Sequence, residues 1–187
     1  MTITLEDKAD QMLICVDQHG NPNGNSINRK LAHTAPGVKH LAIQIIVFDG
    51  LGNIILHNRP SRKVGGSTID APTTHVLINE TPMLSAMRCL NDEYKISDAK
   101  TTLLGGFSYE KIYDDNSCEN EFCLVAYAIC SESEIKPTKE APKIAKMRVE
   151  DFIKDIRSKP ENYAVWLPFS INLLIEDKDA KKLLNYK

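Results

Sequence analysis

The chain has 187 residues, 42% of them hydrophobic and 26% charged, with a formal net charge of −2, the balance of an ordinary globular protein with one well-buried core. That charge gives no electrostatic case for nucleic acid or an anionic membrane surface, and no apolar run approaches the roughly 20 residues of a membrane span. Five cysteines, Cys15, Cys89, Cys118, Cys123 and Cys130, form no CxxC pair, and "MTITLEDKADQ" is not a secretory signal; a reduced, cytoplasmic setting is the expectation.

In chain order, "QMLICVDQHGNPNGNSIN" begins as an apolar β-type run and then breaks into Gly, Asn and Pro, which reads as strand then turn. "HLAIQIIVFDGLGNIILHNR" reads as a hairpin, two β-branched runs joined by "DGLGN". After the Gly- and Ser-containing loop "PSRKVGGSTIDAPT" comes the best helix signal. Thr81 can cap it, Pro82 suits its first position, and Met83, Leu84, Met87, Leu90 and Tyr94 fall on one stripe. "TTLLGGFSYEKIY" and "NEFCLVAYAIC" read as further strands, "VEDFIKDIRS" as a short amphipathic helix, and "ENYAVWLPFSINLLIEDKDAKKLLNYK" as mostly helical. This order implies an α+β or layered α/β/α domain with a mixed sheet.

Several ligand-type residues stand at telling places. His33 and His40 flank the entry to the hairpin, and His75 precedes the helix. Glu119 and Glu121, two apart on a strand, project to one face, while Phe122 and Leu124 point into the core. Three imidazoles and two carboxylates can complete a site for Mn²⁺, Zn²⁺ or Mg²⁺. Five scattered ligand types can also be buried structural residues, and the spacing alone leaves both readings open.

From about Leu13 to Ser170 the chain resembles the type I isopentenyl-diphosphate isomerases of the Nudix superfamily. "AHTAPGVKHLA" is similar to that family's segment with two metal-binding histidines seven residues apart, and His75 stands 18 residues before Glu93, where the family has its third histidine. "YEKIYDDNSCENE" resembles the family's tyrosine followed by a Glu-x-Glu pair, and "YAVWLPFS" its tryptophan segment beside the prenyl tail. The resemblance implies a Nudix fold: an α/β/α sandwich with a mixed sheet, in one domain spanning 1–187. Its core would be about 38–158, after an N-terminal strand extension 1–37 and before a C-terminal helical segment 159–187. It also implies a five-ligand, roughly octahedral site from His33, His40, His75, Glu119 and Glu121. Glu93 would hold a second, diphosphate-bound Mg²⁺, and Arg29, Arg59 and Lys63 would face the diphosphate, with Trp166 beside the prenyl chain. Glu121 and Tyr109 would be catalytic.

Two departures matter. The family's catalytic cysteine, two residues before the third histidine, is Thr73 here, and "VGGSTID" replaces its "W-P-G-x-W" run. A threonine hydroxyl neither ionises nor donates readily near neutral pH, so it is no simple substitute. Cys89, four residues before Glu93 on the helix, is a candidate thiol or a small packed residue. The helix also carries only Asp92 and Glu93 of the usual Nudix acids, and Lys95 where the closing glycine is expected. The resemblance thus implies metal-dependent isomerase-type chemistry on a prenyl diphosphate, with protonation at the alkene. A cyclase or hydratase, a Nudix diphosphate hydrolase and an inactive diphosphate-binding homologue stand as alternatives.

Overall fold

The segment rich in Gly and Asn after Val16 is a strand as well as a turn. Strand β1 (Met12–Val16) pairs antiparallel with β2 (Pro22–Asn28), Leu13 opposite Ile27. The turn between them is held by the Asp17 carboxylate, which accepts the His19 and Asn21 N–H groups, with Gly20 at φ 81°. Strand β2 is mostly exposed. It forms through backbone pairing, so no apolar alternation announced it. The computed structural model describes residue 8 and residues 10–114, 116–131 and 135–184; most of "MTITLEDKADQ" and the last three residues lie outside these.

A short helix, α1 (Arg29–Ala32), capped by the Asn28 side chain, leads to β3 (His40–Phe48). The expected hairpin forms between β3 and β4 (Asn53–Asn58), its turn tied by Asp49 to the Leu51 and Asn53 N–H groups. Two short strands follow, β5 (Ile69–Asp70) and β6 (Thr73–His75), and then helix α2 (Pro82–Tyr94). Thr81 caps α2 as expected, accepting from the Leu84 N–H at 3.3 Å. Lys95 ends it in the left-handed region at φ 62°, where a glycine is usual. The long pair β7 (Thr101–Asp114) and β8 (Ser117–Ile129) comes next, then β9 (Ile144–Arg148), α3 (Val149–Ser158), α4 (Leu167–Glu176) and the single turn α5 (Ala180–Leu183).

Nine strands among the described residues make one mixed sheet. Strand β3 lies at its centre, parallel to β8 and antiparallel to β1, β4 and β6. All nine residues of β3 are buried because both sheet faces are covered. Ile43, Ile45 and Val47 pack with Ala86, Cys89, Leu90 and Tyr94 of α2. Ile46 and Phe48 face the other way, toward Phe152 and Ile153 of α3 and Leu167, Ile171 and Leu174 of α4. This is the α/β/α arrangement expected.

The buried stripe of α2 differs from the one anticipated. Leu90 and Tyr94 are buried, but Leu84 is 58% exposed and Met83 and Met87 are half-buried. The inward face carries Ala86, Cys89, Leu90, Glu93 and Tyr94. A carboxylate on that face hid the true period, because Glu93 reads as a solvent residue until a pocket is known. All five cysteines are free and buried. No helix among the described residues is long and apolar enough to cross a membrane.

Candidate metal centre

Sheet register assembles the site. Glu121 on β8 lies opposite His40 on β3 and opposite Tyr109 on β7. His75 on β6 pairs with Ala42, two residues along β3 from His40 and so on the same face. His33, after α1, is tied to β8 by its carbonyl, which accepts the Cys118 N–H at 3.0 Å. The three imidazole rings lie with centroids 4.8 to 5.0 Å apart. One ligand atom from each of His33, His40, His75 and Glu121 falls within 4.8 Å of the others.

The donors fit a divalent ion. His33 Nδ1 is 3.0 Å from the Cys118 carbonyl and His40 Nδ1 is 2.7 Å from that of Val38. A carbonyl only accepts, so each Nδ1 carries a proton and each Nε2 is left with a lone pair. Those Nε2 atoms turn inward. That of His33 is 3.0 Å from His75 Nε2, while that of His40 is buried without a hydrogen-bond partner and 3.3 Å from Glu121 Oε1. His75 Nε2 is 3.1 Å from the same oxygen. Lone pairs and a carboxylate meeting in a buried space repel one another unless a proton or a cation lies between them. Separations of this size suit ligands held about 2.0–2.2 Å from one ion.

Glu119, the fifth expected ligand, is buried on the Nδ1 side of His33, its Oε2 3.2 Å from that nitrogen. It is not among the four groups that converge. The other oxygen of Glu121, Oε2, accepts a 2.7 Å hydrogen bond from the Tyr109 hydroxyl. Burial opposes charge on Glu121, but contacts with His40 and His75 overcome it and hold the carboxyl well below the usual range. Burial, then the nearby Glu121 charge, pushes the Tyr109 phenol well up, so it keeps its proton. Burial also keeps His75 well below the ordinary imidazole value.

A pocket opens beside this cluster. It is bordered by His33, His75, Glu119, Glu121 and Tyr109, by Glu93 and Cys89 of α2, by Thr73 and Trp166, and by Lys8, Arg29, Arg59, Arg62 and Lys63. The structure thus brings every anticipated site residue except the deeper His40 to one cavity wall. Tyr109 and Trp166 form its apolar floor, backed by the buried Ala42, Cys123 and Ala164.

Thr73 faces this pocket with its hydroxyl already engaged. It donates to the Ala71 carbonyl at 2.8 Å and accepts from Gln44 Nε2 at 3.0 Å. Gln44 in turn donates to Asp70 at 2.9 Å and accepts from Ser170. Asp70, fully buried, also receives the Trp166 indole N–H at 3.1 Å and Arg59 Nη1 at 2.9 Å. Burial pushes its carboxyl up to about 6, against the pull of Arg59. Cys89 offers no ready thiolate, because burial and then Glu93 push its thiol well up.

The cations divide by what holds them. Arg59, expected at the diphosphate, pairs with Asp70, donates to the Val64 carbonyl and lies 4.7 Å over the Trp166 ring, so it braces the tryptophan. Lys63 bridges Glu93 at 3.3 Å and Glu140 at 2.8 Å, and Arg62 pairs with Glu140 at 2.9 Å. Arg29 Nη1 reaches Gln11 at 3.5 Å. Burial, opposed by Lys63 and then only partly, pushes the Glu93 carboxyl up to about 7.

Several participants went unread in the sequence: Gln44, Asp70, Arg62, Glu140 and Arg88. Arg88 on α2 holds the His75 strand, donating to the Thr74 hydroxyl at 3.1 Å and the His75 carbonyl at 2.9 Å while paired with Glu80. Helical spacing was its only available signal, since Arg88 lies on the turn between Leu84 and Asp92. Asp70 ends the two-residue strand β5 and Glu140 sits in an irregular stretch, and neither setting marks a carboxylate as buried.

No protein-family model matches the chain. Among solved structures it is similar to a MutT protein from Methanosarcina mazei, with a TM-score of 0.61 at 13% identity over 75% of this chain and 96% of that one. It is also similar to a NUDIX hydrolase from Nitrosomonas europaea, with a TM-score of 0.53 at 16% identity over 76% and 89%. The fold is the Nudix fold, and the cluster it carries is a histidine–carboxylate one. In sequence the chain is 27% identical over 168 residues to isopentenyl-diphosphate Delta-isomerase 2 of Aromatoleum aromaticum, covering 89% of this chain and 87% of that protein. It is 28% identical over 139 residues to the isopentenyl-diphosphate Delta-isomerase of Haloarcula marismortui, covering 72% and 74%. In sequence the chain thus resembles the isopentenyl-diphosphate Delta-isomerases, and in structure it has the Nudix fold.

Proposed function

We propose that the chain is a divalent-metal-dependent, isomerase-type enzyme acting on a prenyl diphosphate such as isopentenyl diphosphate. The observation that carries this reading is the convergence of three imidazole nitrogens and Glu121 Oε1 while Glu121 Oε2 holds the Tyr109 proton over an apolar floor. Mg²⁺ or Mn²⁺ bound there supplies positive charge that keeps Glu121 ionised and its geometry fixed. The diphosphate end would lie toward Lys63, Arg62, Arg29 and Glu93, the last of these holding a second Mg²⁺ with the phosphate oxygens. The prenyl end would lie on Tyr109 and Trp166.

The Tyr109–Glu121 pair is then the proton-holding group. Adding a proton to the terminal alkene carbon leaves a tertiary cation. Removing one from the neighbouring methylene gives the allylic isomer, with composition unchanged. Both transfers fall to this pair, because the Thr73 proton is committed to Ala71 and its oxygen to Gln44.

Deuterium uptake from D₂O into isopentenyl diphosphate, with Mg²⁺ or Mn²⁺ present, tests the reading. Uptake that is lost on chelation supports it. The absence of uptake in both the native chain and Thr73→Cys, at confirmed metal loading, refutes it. Phosphate release in that case would move the assignment to Nudix-type hydrolysis, a reading favoured by the Nudix structural neighbours and by Glu93 lying in the pocket.

A further inference from the structure

One buried histidine takes no part in the cluster. His57 on β4 is 1% exposed, in a strand whose neighbours Ile54, Ile55 and Leu56 are apolar core. A buried imidazole is costly unless both nitrogens are used. Here Nδ1 lies 3.1 Å from the Tyr94 hydroxyl, and Nε2 has no hydrogen-bond partner. The atom nearest to supplying one is Glu93 Oε2, 3.8 Å away and itself buried without a partner. Glu93 and Tyr94 are consecutive on α2, so one helix turn grips the imidazole at one nitrogen and presents a carboxylate to the other.

We propose that His57 is the positioning residue for Glu93, donating its Nε2–H to Oε2 and so fixing which carboxylate oxygen faces the pocket. The proposed tautomer takes the Tyr94 hydroxyl as the donor to Nδ1. That hydroxyl lies 3.1 Å from Nδ1 and 3.4 Å from the Ile55 carbonyl, within reach of both acceptors. Donation to Nδ1 places the ring proton on Nε2. Closing 3.8 Å to hydrogen-bond length takes a small rotation of the carboxylate, whose other oxygen is held by Lys63 Nζ at 3.3 Å. With Oε2 anchored behind, Oε1 is left for Lys63 or for a cation that displaces it. Ligating carboxylates generally need such a donor, and losing one lowers ion affinity about 10–100-fold. The inference rests on the reading of Glu93 as the holder of a second, phosphate-bound ion.

Mn²⁺ titration followed by electron paramagnetic resonance, with inorganic pyrophosphate as the phosphate probe, tests it without turnover. The native chain should show two bound ions, the second only with pyrophosphate. His57→Leu should weaken the second about 10-fold or more while leaving the first, at the histidine cluster, unchanged. His57→Gln, whose amide restores an N–H donor, should recover most of the loss. Tyr94→Phe, which frees the ring but keeps the aromatic core, should shift the second ion in the same direction and guards against a His57→Leu variant that does not fold. Native second-ion affinity in both His57→Leu and Tyr94→Phe would overturn the positioning role alone, as would equal weakening in Leu and Gln. If the native chain binds no second ion, the assignment of Glu93 fails and the inference fails with it.

Discussion

Around Glu121 buried nitrogens and oxygens converge on one another, whereas around Asp70, buried behind Thr73, Arg59 and Trp166 of the same pocket, donors and acceptors are matched within the protein. His40 Nε2 and Glu119 Oε2 have no hydrogen-bond partner, and His33 Nε2 has only the Nε2 of His75, 3.0 Å away. Asp70, Gln44, Thr73, Ser170, Trp166 and Arg59 instead close a hydrogen-bonded network. An unmatched buried atom costs folding energy unless a ligand completes it, while a matched one contributes to rigidity and is poorly placed to exchange a proton. The contrast teaches that, on the proposed reading, one group of residues would hold an ion and carry the chemistry, while the other holds Trp166 and the pocket shape.

Removing the hinge of the first group should have the largest effect. Glu121→Gln loses both the anionic ligand and the acceptor for Tyr109, and deuterium uptake should fall about 10³-fold, with weaker Mn²⁺ binding by calorimetry. Unchanged uptake would place the chemistry elsewhere and erase the contrast.

In the second group, Asp70 holds its proton more tightly folded, with a pKa of about 6 against an ordinary 3.8. The folded chain therefore binds more protons than the unfolded one between those values. The stability Asp70 contributes is full below about pH 4 and is lost as pH rises through about 6. Asp70→Asn does not titrate, so the stability gap between native chain and variant should narrow across that window by about 3 kcal/mol at most. Denaturant melts at a series of pH values measure it, and a constant gap would mean Asp70 titrates normally.

Chelation should act on the first group only. Stripping an ion present at 100 times its Kd costs about 2.7 kcal/mol, seen as a lower Tm. The drop should persist in Asp70→Asn and shrink in Glu121→Gln; an identical drop in all three would detach the ion from the histidine cluster. The smallest effect on the ion is expected of Tyr109→Phe, which keeps the ring on the pocket floor and removes one donor. Loss of the phenol proton should slow uptake about 10²-fold, with Mn²⁺ affinity kept. Loss of ion binding would show that the phenol is structural.

The same contrast explains what was legible beforehand. His33, His40, His75 and Glu121 could be read because ligand types are few and their spacing follows strand and family pattern. The hairpin and the Thr81 cap were likewise local signals. The Asp70 network was unreadable, since Gln44, Thr73 and Ser170 look like scattered polar residues until β3, β6 and α4 meet. Arg59 borders the pocket as expected, but nothing local shows that a carboxylate 11 positions on will also engage it. Strand β2 and the inward Glu93 escaped for a related reason: pairing of exposed backbone leaves no apolar period, and a pocket-facing acid disguises one.

The sealed cysteines have a practical corollary. Thiol reagents need an accessible, ionisable sulfur; all five native ones are buried, and Cys89, at the pocket's edge, has its thiol pushed well up by burial. A Thr73→Cys chain would therefore present its new sulfur at a half-buried pocket position against a quiet background. A maleimide or nitroxide tag could then be attached there without first deleting any native residue. Its labelling rate would report how far the cavity opens, and its protection by pyrophosphate would show whether an anion shuts the entrance.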